Sequence, residues 1–369
     1  MVGRLKHLVR QKMPLGELDD LEQFRLVVEQ LEVCRDLVLA DVAPKSRMAL
    51  ILLDNAAEVV LYRVSREALE SDLFSRRIVP AAFSLKQRDA MKRFFEPKLD
   101  FAVSKYRLDA TPVEMLRVLH RYRNAAVHRD THNPTVIPIL GRLAFLAVSQ
   151  LFASTRGGVR SSMAGGYRKA IDWLASYGLA ETFIDYEVAA KRIALQLRTG
   201  VEVSVQVAGE QLAKDLSERI HRIRQVLWSE LPLGNDTMRI DDVLKRFEFR
   251  EKSPDLEYIL SEQYRSLAYK IGAGGGDDVS RDEFVAAEQA FHERYDAEFA
   301  SYQPKLTCER LALLAESIGS LRQEPGLDKL LMAYARDDEA LTWYERAVYA
   351  ALQSYEAQVQ MEIDIRRGK

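Results

Sequence analysis

The chain has 369 residues, 47% of them hydrophobic, and its 53 lysines and arginines are balanced by 55 aspartates and glutamates for a net charge of −2. This composition excludes a disordered or low-complexity chain and leaves room for two or three domains with sizeable cores. It also excludes a surface that is basic as a whole, so any contact with nucleic acid must rest on a local concentration of cations.

The basic start, Met1 to Gln11, is followed by no apolar stretch of signal-peptide length, and no run approaches the ~18 consecutive apolar residues of a membrane-spanning helix. Helical periodicity dominates the rest of the chain. Leu21, Phe24, Val28, Leu31 and Val38 lie near one face, behind the acids Glu17, Asp19 and Asp20, which favour a helix N-terminus. Pro44 reads as a stop. A second helix is predicted over 46–69, capped by Ser46 and apolar enough for burial on more than one side. A helix over 84–95 should be halted by Pro97. The next opens at Thr111-Pro112-Val113-Glu114, a threonine cap followed by proline at the first helical position and an early acid, and Asn133-Pro134 ends or interrupts it. A further apolar helix over 136–153 completes a small bundle, so the first domain is predicted at 1–155.

The glycine- and serine-rich stretch 156–166 reads as a flexible linker. Beyond it a helical middle region is expected over 167–271, with helices near 167–177, 180–198, 209–230, 241–249 and 254–271. Residues 201–207 alternate as a strand would, and the start of a helix fits them nearly as well. A glycine-rich loop, 272–278, then precedes a C-terminal helical region, 279–369. The predicted fold class is all-α. Cys34 and Cys308 are far apart without metal-ligand spacing. They suit a reducing compartment as buried small hydrophobes, and the expected location is the cytoplasm.

The chemistry concentrates between Leu119 and His128, Leu-His-Arg-Tyr-Arg-Asn-Ala-Ala-Val-His, which sets cations, an amide and imidazoles on one helix. Cleavage of RNA by its own 2′-hydroxyl needs a proton taken from that hydroxyl, a proton given to the departing 5′-oxygen, and positive charge on the phosphate between them. Histidine and arginine supply all three without a metal. At ~100° per residue, Arg117, His120, Arg121, Asn124 and His128 share a polar stripe, while Met115, Val118, Leu119, Tyr122 and Ala126 face the other way. Arg123 is rotated ~140° from His128 on an ideal helix, at the edge of the apolar face. One straight helix therefore does not bring that pair to one phosphate without reach from the arginine or a helix distortion. A two-fold dimer would ease this by facing two copies across one cleft.

Arg123-Asn124-x-x-x-His128 resembles the signature of the HEPN domain family, and Ala49-Leu50-Ile51-Leu52-Leu53-Asp54-Asn55-Ala56-Ala57-Glu58 resembles that family's early helix, apolar with an acid near its end. The resemblance covers residues near 18 to 155. It implies an N-terminal HEPN-like bundle acting as a homodimeric, metal-independent and cofactor-free endoribonuclease on tRNA, mRNA or other cellular RNA, in a bacterial defence or toxin setting. On this reading His128 is the general acid or base, Arg123 contacts the scissile phosphate, Asn124 orients His128 or the ribose, and Glu58 fixes Arg123 or a histidine tautomer. Arg117, His120, Arg121 and Arg129 would widen the RNA-binding surface. Some HEPN toxins carry a modifiable tyrosine where this chain has Asp130, which puts regulation by that route in doubt. The C-terminal region would act as a sensor, a regulator, or the surface for an inhibitory protein partner.

Other readings compete. The same bundle suits a non-catalytic module for dimerisation or for binding RNA or protein, with Arg123 a structural partner of Glu58 and His128 capping carbonyls. His128 and His132 have metal-ligand spacing, with His120 or Asp130 nearby, but Asn133-Pro134 ends the helix there. His128-Arg129-Asp130 matches the kinase catalytic triplet only by chance, since Asn133 falls too early. The loop from Gly272 to Gly276 lacks the lysine and hydroxyl of a phosphate cradle. Phe284, Phe291, Tyr295 and Phe299 read as core rather than as a stacking platform.

Overall fold

The computed structural model describes residues 20–75, 82–128, 135–159, 163–165, 173–179, 183–231, 237–252, 289, 293 and 295–367, without the side chains of 74–75, 124–128, 163–165, 183–184, 237–238, 358, 362 and 366. The fold is all-α, as the periodicity predicts. The helices are α1 (Asp20–Leu39), α2 (Ala43–Ser75), α3 (Leu85–Arg93), α4 (Phe95–Tyr106), α5 (Ala110–His128), α6 (Ile137–Ser154), α7 (Tyr186–Arg198), α8 (Val205–Gln225), α9 (Thr237–Lys252), α10 (Cys308–Ile318) and α11 (Leu327–Arg366). Two three-residue strands, β1 (Met163–Gly165) and β2 (Phe183–Asp185), pair antiparallel with Ala164 opposite Ile184, too short to form a layer.

Both early prolines begin helices instead of stopping them. Pro44 lies in the first turn of α2 and Pro97 in the first turn of α4, where a missing N–H removes no intrahelical bond. Ser46 is consequently not a cap. It is fully buried inside α2 with Gly141 of α6 against it, at a distance where an added Cβ would sit 3.3 Å from the serine Cβ. Ser84 does cap α3, in a reciprocal box with Gln87. The chain breaks at Phe94, which is extended, and restarts as α4. Asp185 caps α7 by accepting the N–H groups of Glu187 and Val188, so that helix starts later than the predicted 180. Ser204 accepts the Val207 N–H, and 201–207 resolves as the approach to α8, not a strand. The helix expected at 254–271 and the loop 272–278 lie outside the described residues.

The chain divides into two compact units, Met1–Leu212 with Arg322–Ala333, and Ala213–Leu321 with Tyr334–Lys369. In the first, α6 packs on α1, α2, α5 and α7. Among the described residues it is the one helix long and apolar enough to cross a membrane, and 78% of it is buried inside the protein. Phe24 of α1 is fully buried between the rings of Phe152 and Tyr186, at 5.1 and 5.2 Å. Burying a ring of that size contributes about 1.5–3 kcal/mol. The described part of the expected linker is packed as well, with Gly157, Gly158 and Val159 all buried. Its glycines serve close approach: Gly157 and Gly158 have φ of +66° and +76°, and a Cβ on them would come within 2.7 Å of the Phe152 ring and 2.9 Å of the Val60 carbonyl oxygen. The first unit therefore runs past 155, through α7 and into α8.

The second unit is built on charges taken out of water. Arg219 on α8 is buried and holds Asp338, Glu345 and Thr342 of α11. Glu248 on α9 accepts the backbone N–H groups of Lys305 and Leu306 and pairs with Lys252. Tyr344 brackets Thr307, accepting its N–H at 3.0 Å and donating to its carbonyl at 2.7 Å, which sets the start of α10. Phe249 is buried among the rings of Tyr295, Phe299 and Tyr302, which are themselves half-buried, so the described part of the aromatic helix borders the core and is not enclosed by it.

Candidate active site

In the first unit α2 and α5 lie side by side, and the polar residues of their facing surfaces meet in one cluster. Met115, Val118, Leu119 and Tyr122 of α5 turn into the core, as the helical wheel predicts, and Leu116 joins them. His120 and Arg123 are three residues apart and so adjacent on the helix surface. Both reach α2. Asp54 and Glu58 are four residues apart and share the answering face.

Asp54 organises the cluster. The His120 Nδ1 lies 2.7 Å from its Oδ1, and Arg123 binds its Oδ2 at 2.5 Å. Glu58 stands at 3.5 Å from the Arg123 guanidinium. The Asp54 side chain is 7% exposed, His120 17%, Arg123 25% and Glu58 38%, so the cluster grades from interior to surface along its own length. A carboxylate as buried as Asp54 is stable only with its oxygens matched, and here an imidazole takes one and a guanidinium the other. Phe95, the first residue of α4, stacks on the His120 ring at 4.0 Å between centroids and 5° between planes. That contact covers one imidazole face and, with Asp54, sets the ring's orientation.

Glu58 and Arg123, assigned from the sequence to one site, do lie together. Asp54 and Phe95 belong to the same cluster, and the sequence motif does not single them out. Asp54 has a legible signal, an acid one turn before Glu58 in an otherwise apolar helix. Phe95 has none, since nothing in its local sequence ties it to residue 120. His120, expected as a contact for the RNA backbone, is instead held by Asp54 and Phe95. Arg117 is engaged too, by Glu96, by Asp100 at 2.5 Å and by Glu114 at 3.5 Å. Burial works against its charge, but the hydrogen bond to Asp100 and the surrounding carboxylates outweigh this and hold its pKa above the ordinary arginine value. Arg121 is exposed. The side chains of Asn124 and His128, and all of Arg129 and His132, lie outside the described residues, although α5 carries the backbone of Asn124 and His128 to its end.

Oxygen and nitrogen atoms of Asp54, Glu58 and His120 fall within 4.8 Å of one another, the spacing of a small cation site. Arg123 already supplies positive charge to both carboxylates, and a divalent ion there would face a guanidinium at contact distance. We therefore do not read the trio as metal ligands. The second unit has an open groove of about 610 Å³ lined by His221, Arg224, Trp228 and Cys308 among others, none of them a motif residue. Cys308 is not fully buried as expected. It opens α10, its N–H donates to Asp241 at 2.6 Å, and burial together with Asp241 pushes its thiol up to about 12. No family model matches the chain, and no curated protein and no solved structure is significantly similar to it.

Proposed function

We propose that the N-terminal unit is a HEPN-like, metal-independent endoribonuclease that cleaves RNA by attack of the 2′-hydroxyl, leaving a 2′,3′-cyclic phosphate and a 5′-hydroxyl. The observation that carries the reading is the cluster of Asp54, Glu58, His120 and Arg123, which joins the motif helix to the early acidic helix. Arg123 is the cation for the scissile phosphate. A guanidinium has five N–H donors, so holding a carboxylate and meeting a phosphate oxygen are compatible. Asn124, the next residue, and His128, five residues on, complete the motif on which the resemblance rests. The enzyme works as a homodimer that faces two motif helices across one cleft, in the cytoplasm, and the second unit restrains it or senses its trigger. A bacterial defence or toxin role follows from the same resemblance.

The test is cleavage of a mixed tRNA and mRNA pool in excess EDTA by wild type, Arg123→Ala and His128→Ala, with the new ends identified chemically. Cyclic phosphate ends that disappear in Arg123→Ala are expected. Intact RNA with folded wild type, freed of any inhibitory partner, would overturn the reading in favour of a non-catalytic module. That second reading has its own support, because an arginine paired to a buried aspartate is also what a structural ion pair looks like. Expression separates them cheaply: a nuclease slows growth of its host and Arg123→Ala relieves this, whereas a module does neither.

A further inference from the structure

Resting on the ribonuclease reading, we infer that the imidazole working with Arg123 is His120, held by Asp54 as a general base. The motif's own pairing has a geometric difficulty. Arg123 and His128 are ~140° apart on one helix, and α5 runs unbroken through both. His120 has no such difficulty: it is one turn from Arg123 on the same face, and the two share a single carboxylate, one on each oxygen. Imidazole and guanidinium are thus fixed side by side by a third group, the arrangement that proton transfer at a bound phosphodiester requires. His128 lies ~7.5 Å beyond Arg123 by rise and is turned ~140° away, so on a straight helix it meets the same phosphate only if the arginine reaches around to it.

The ring's surroundings specify its role. At 2.7 Å from a carboxylate oxygen, Nδ1 is placed to donate its hydrogen to Asp54, and in that tautomer Nε2 carries the lone pair of the neutral ring. Phe95 holds the plane, and 17% of the side chain remains accessible. In the reaction the 2′-oxygen bonds to phosphorus as its proton passes to Nε2, and Asp54 stabilises the imidazolium that forms. The bond from phosphorus to the 5′-oxygen breaks, that oxygen takes a proton from water, and the imidazolium returns its proton to solvent. Arg123 meets the charge on the phosphoryl oxygens. The charged groups around His120 are Asp54 and Glu58 from α2, Arg123 and Arg117 from its own helix, and Glu96 and Asp100 from α4, which hold Arg117. The one charged residue of α6, Arg142, is turned to Asp41 and Gly200.

The experiment compares kcat and KM for one RNA substrate across pH 5 to 9 in EDTA, using wild type, His120→Ala, His120→Gln, Asp54→Asn and His128→Ala. Glutamine keeps a polar group for Asp54 and the bulk against Phe95, which guards against a variant that merely unfolds. We expect His120→Gln to lower kcat about 100-fold or more with KM nearly unchanged. It should also abolish the limb in which rate rises as an imidazole loses its proton. Added imidazole should restore part of the rate to His120→Ala. Asp54→Asn, which alters a positioning residue, should lower kcat and shift that limb. The inference is overturned if folded His120→Gln keeps the rate and the limb while His128→Ala loses both, which leaves the nuclease reading standing. Absence of cleavage by wild type overturns that reading, and this inference with it.

Discussion

Replacing Asp54 by alanine removes a group that His120 and Arg123 both hold, and its cost can be worked from the contacts. A hydrogen bond to a charged group contributes about 1.5–3 kcal/mol net, and stripping one partner from a buried ion pair costs about 3–5 kcal/mol. Asp54 is 7% exposed but the Arg123 side chain 25%, so solvent relieves part of the loss at the arginine end. We expect Asp54→Ala to destabilise the first unit by about 2–3 kcal/mol. The cycle with Arg123→Ala and the double variant should give a coupling of about 2 kcal/mol, about thirtyfold in the folded-to-unfolded ratio. Urea unfolding followed by tryptophan fluorescence reads this. Of the chain's three tryptophans, Trp173 lies in the first unit and Trp228 and Trp343 in the second, so replacing the latter two by phenylalanine isolates the signal. Single-variant effects that add to within ~0.5 kcal/mol would refute the claim that Asp54 and Arg123 act as a pair.

The same melt tests Gly158→Ala, where left-handed backbone strain of about 1 kcal/mol or more combines with a Cβ placed 2.9 Å from the Val60 carbonyl oxygen. A total loss of about 2 kcal/mol is expected, and unchanged stability would show that the segment is as loose as its composition suggests. Cys34 is fully buried, and burial pushes its thiol up to about 12, so a thiol reagent at pH 8 should modify it only after unfolding. Rapid labelling in the native state would contradict that packing. Burial opposes ionisation of Glu248, but hydrogen bonds from Lys252 and the N–H groups of Leu306 and Lys305 outweigh it and hold the carboxyl below its usual range. A folded-state value below the unfolded one, ~4.3, stabilises the fold above that pH, and the contribution disappears as pH falls through the folded value. The second unit, followed by Trp343, should therefore lose Tm as pH drops from about 5 to about 3. Glu248→Gln should flatten that dependence, and an unaltered slope would assign the acid sensitivity to other groups.

Helical periodicity, caps and apolar faces are local properties, and they suffice for the all-α class and for the inward face of α5. Glu58 and Arg123 become candidates for one site through the motif resemblance, not through periodicity. Prolines mislead because a proline ends one helix or begins the next with equal ease, and which occurs depends on whether the residues after it find a surface to pack on. α2 finds α6, so Pro44 becomes part of its first turn. The glycines at 157 and 158 resemble a linker for a similar reason: composition records that the backbone can bend, while only the approach of Phe152 and Val60 shows that it must. Asp54 and Phe95 enter the site through helix packing across more than twenty residues of intervening chain. The pairing of His120 with Arg123 is available at i, i+3 in the sequence, but nothing local says that two neighbouring polar side chains share a partner. That requires a carboxylate from another helix, desolvated enough to need both of them.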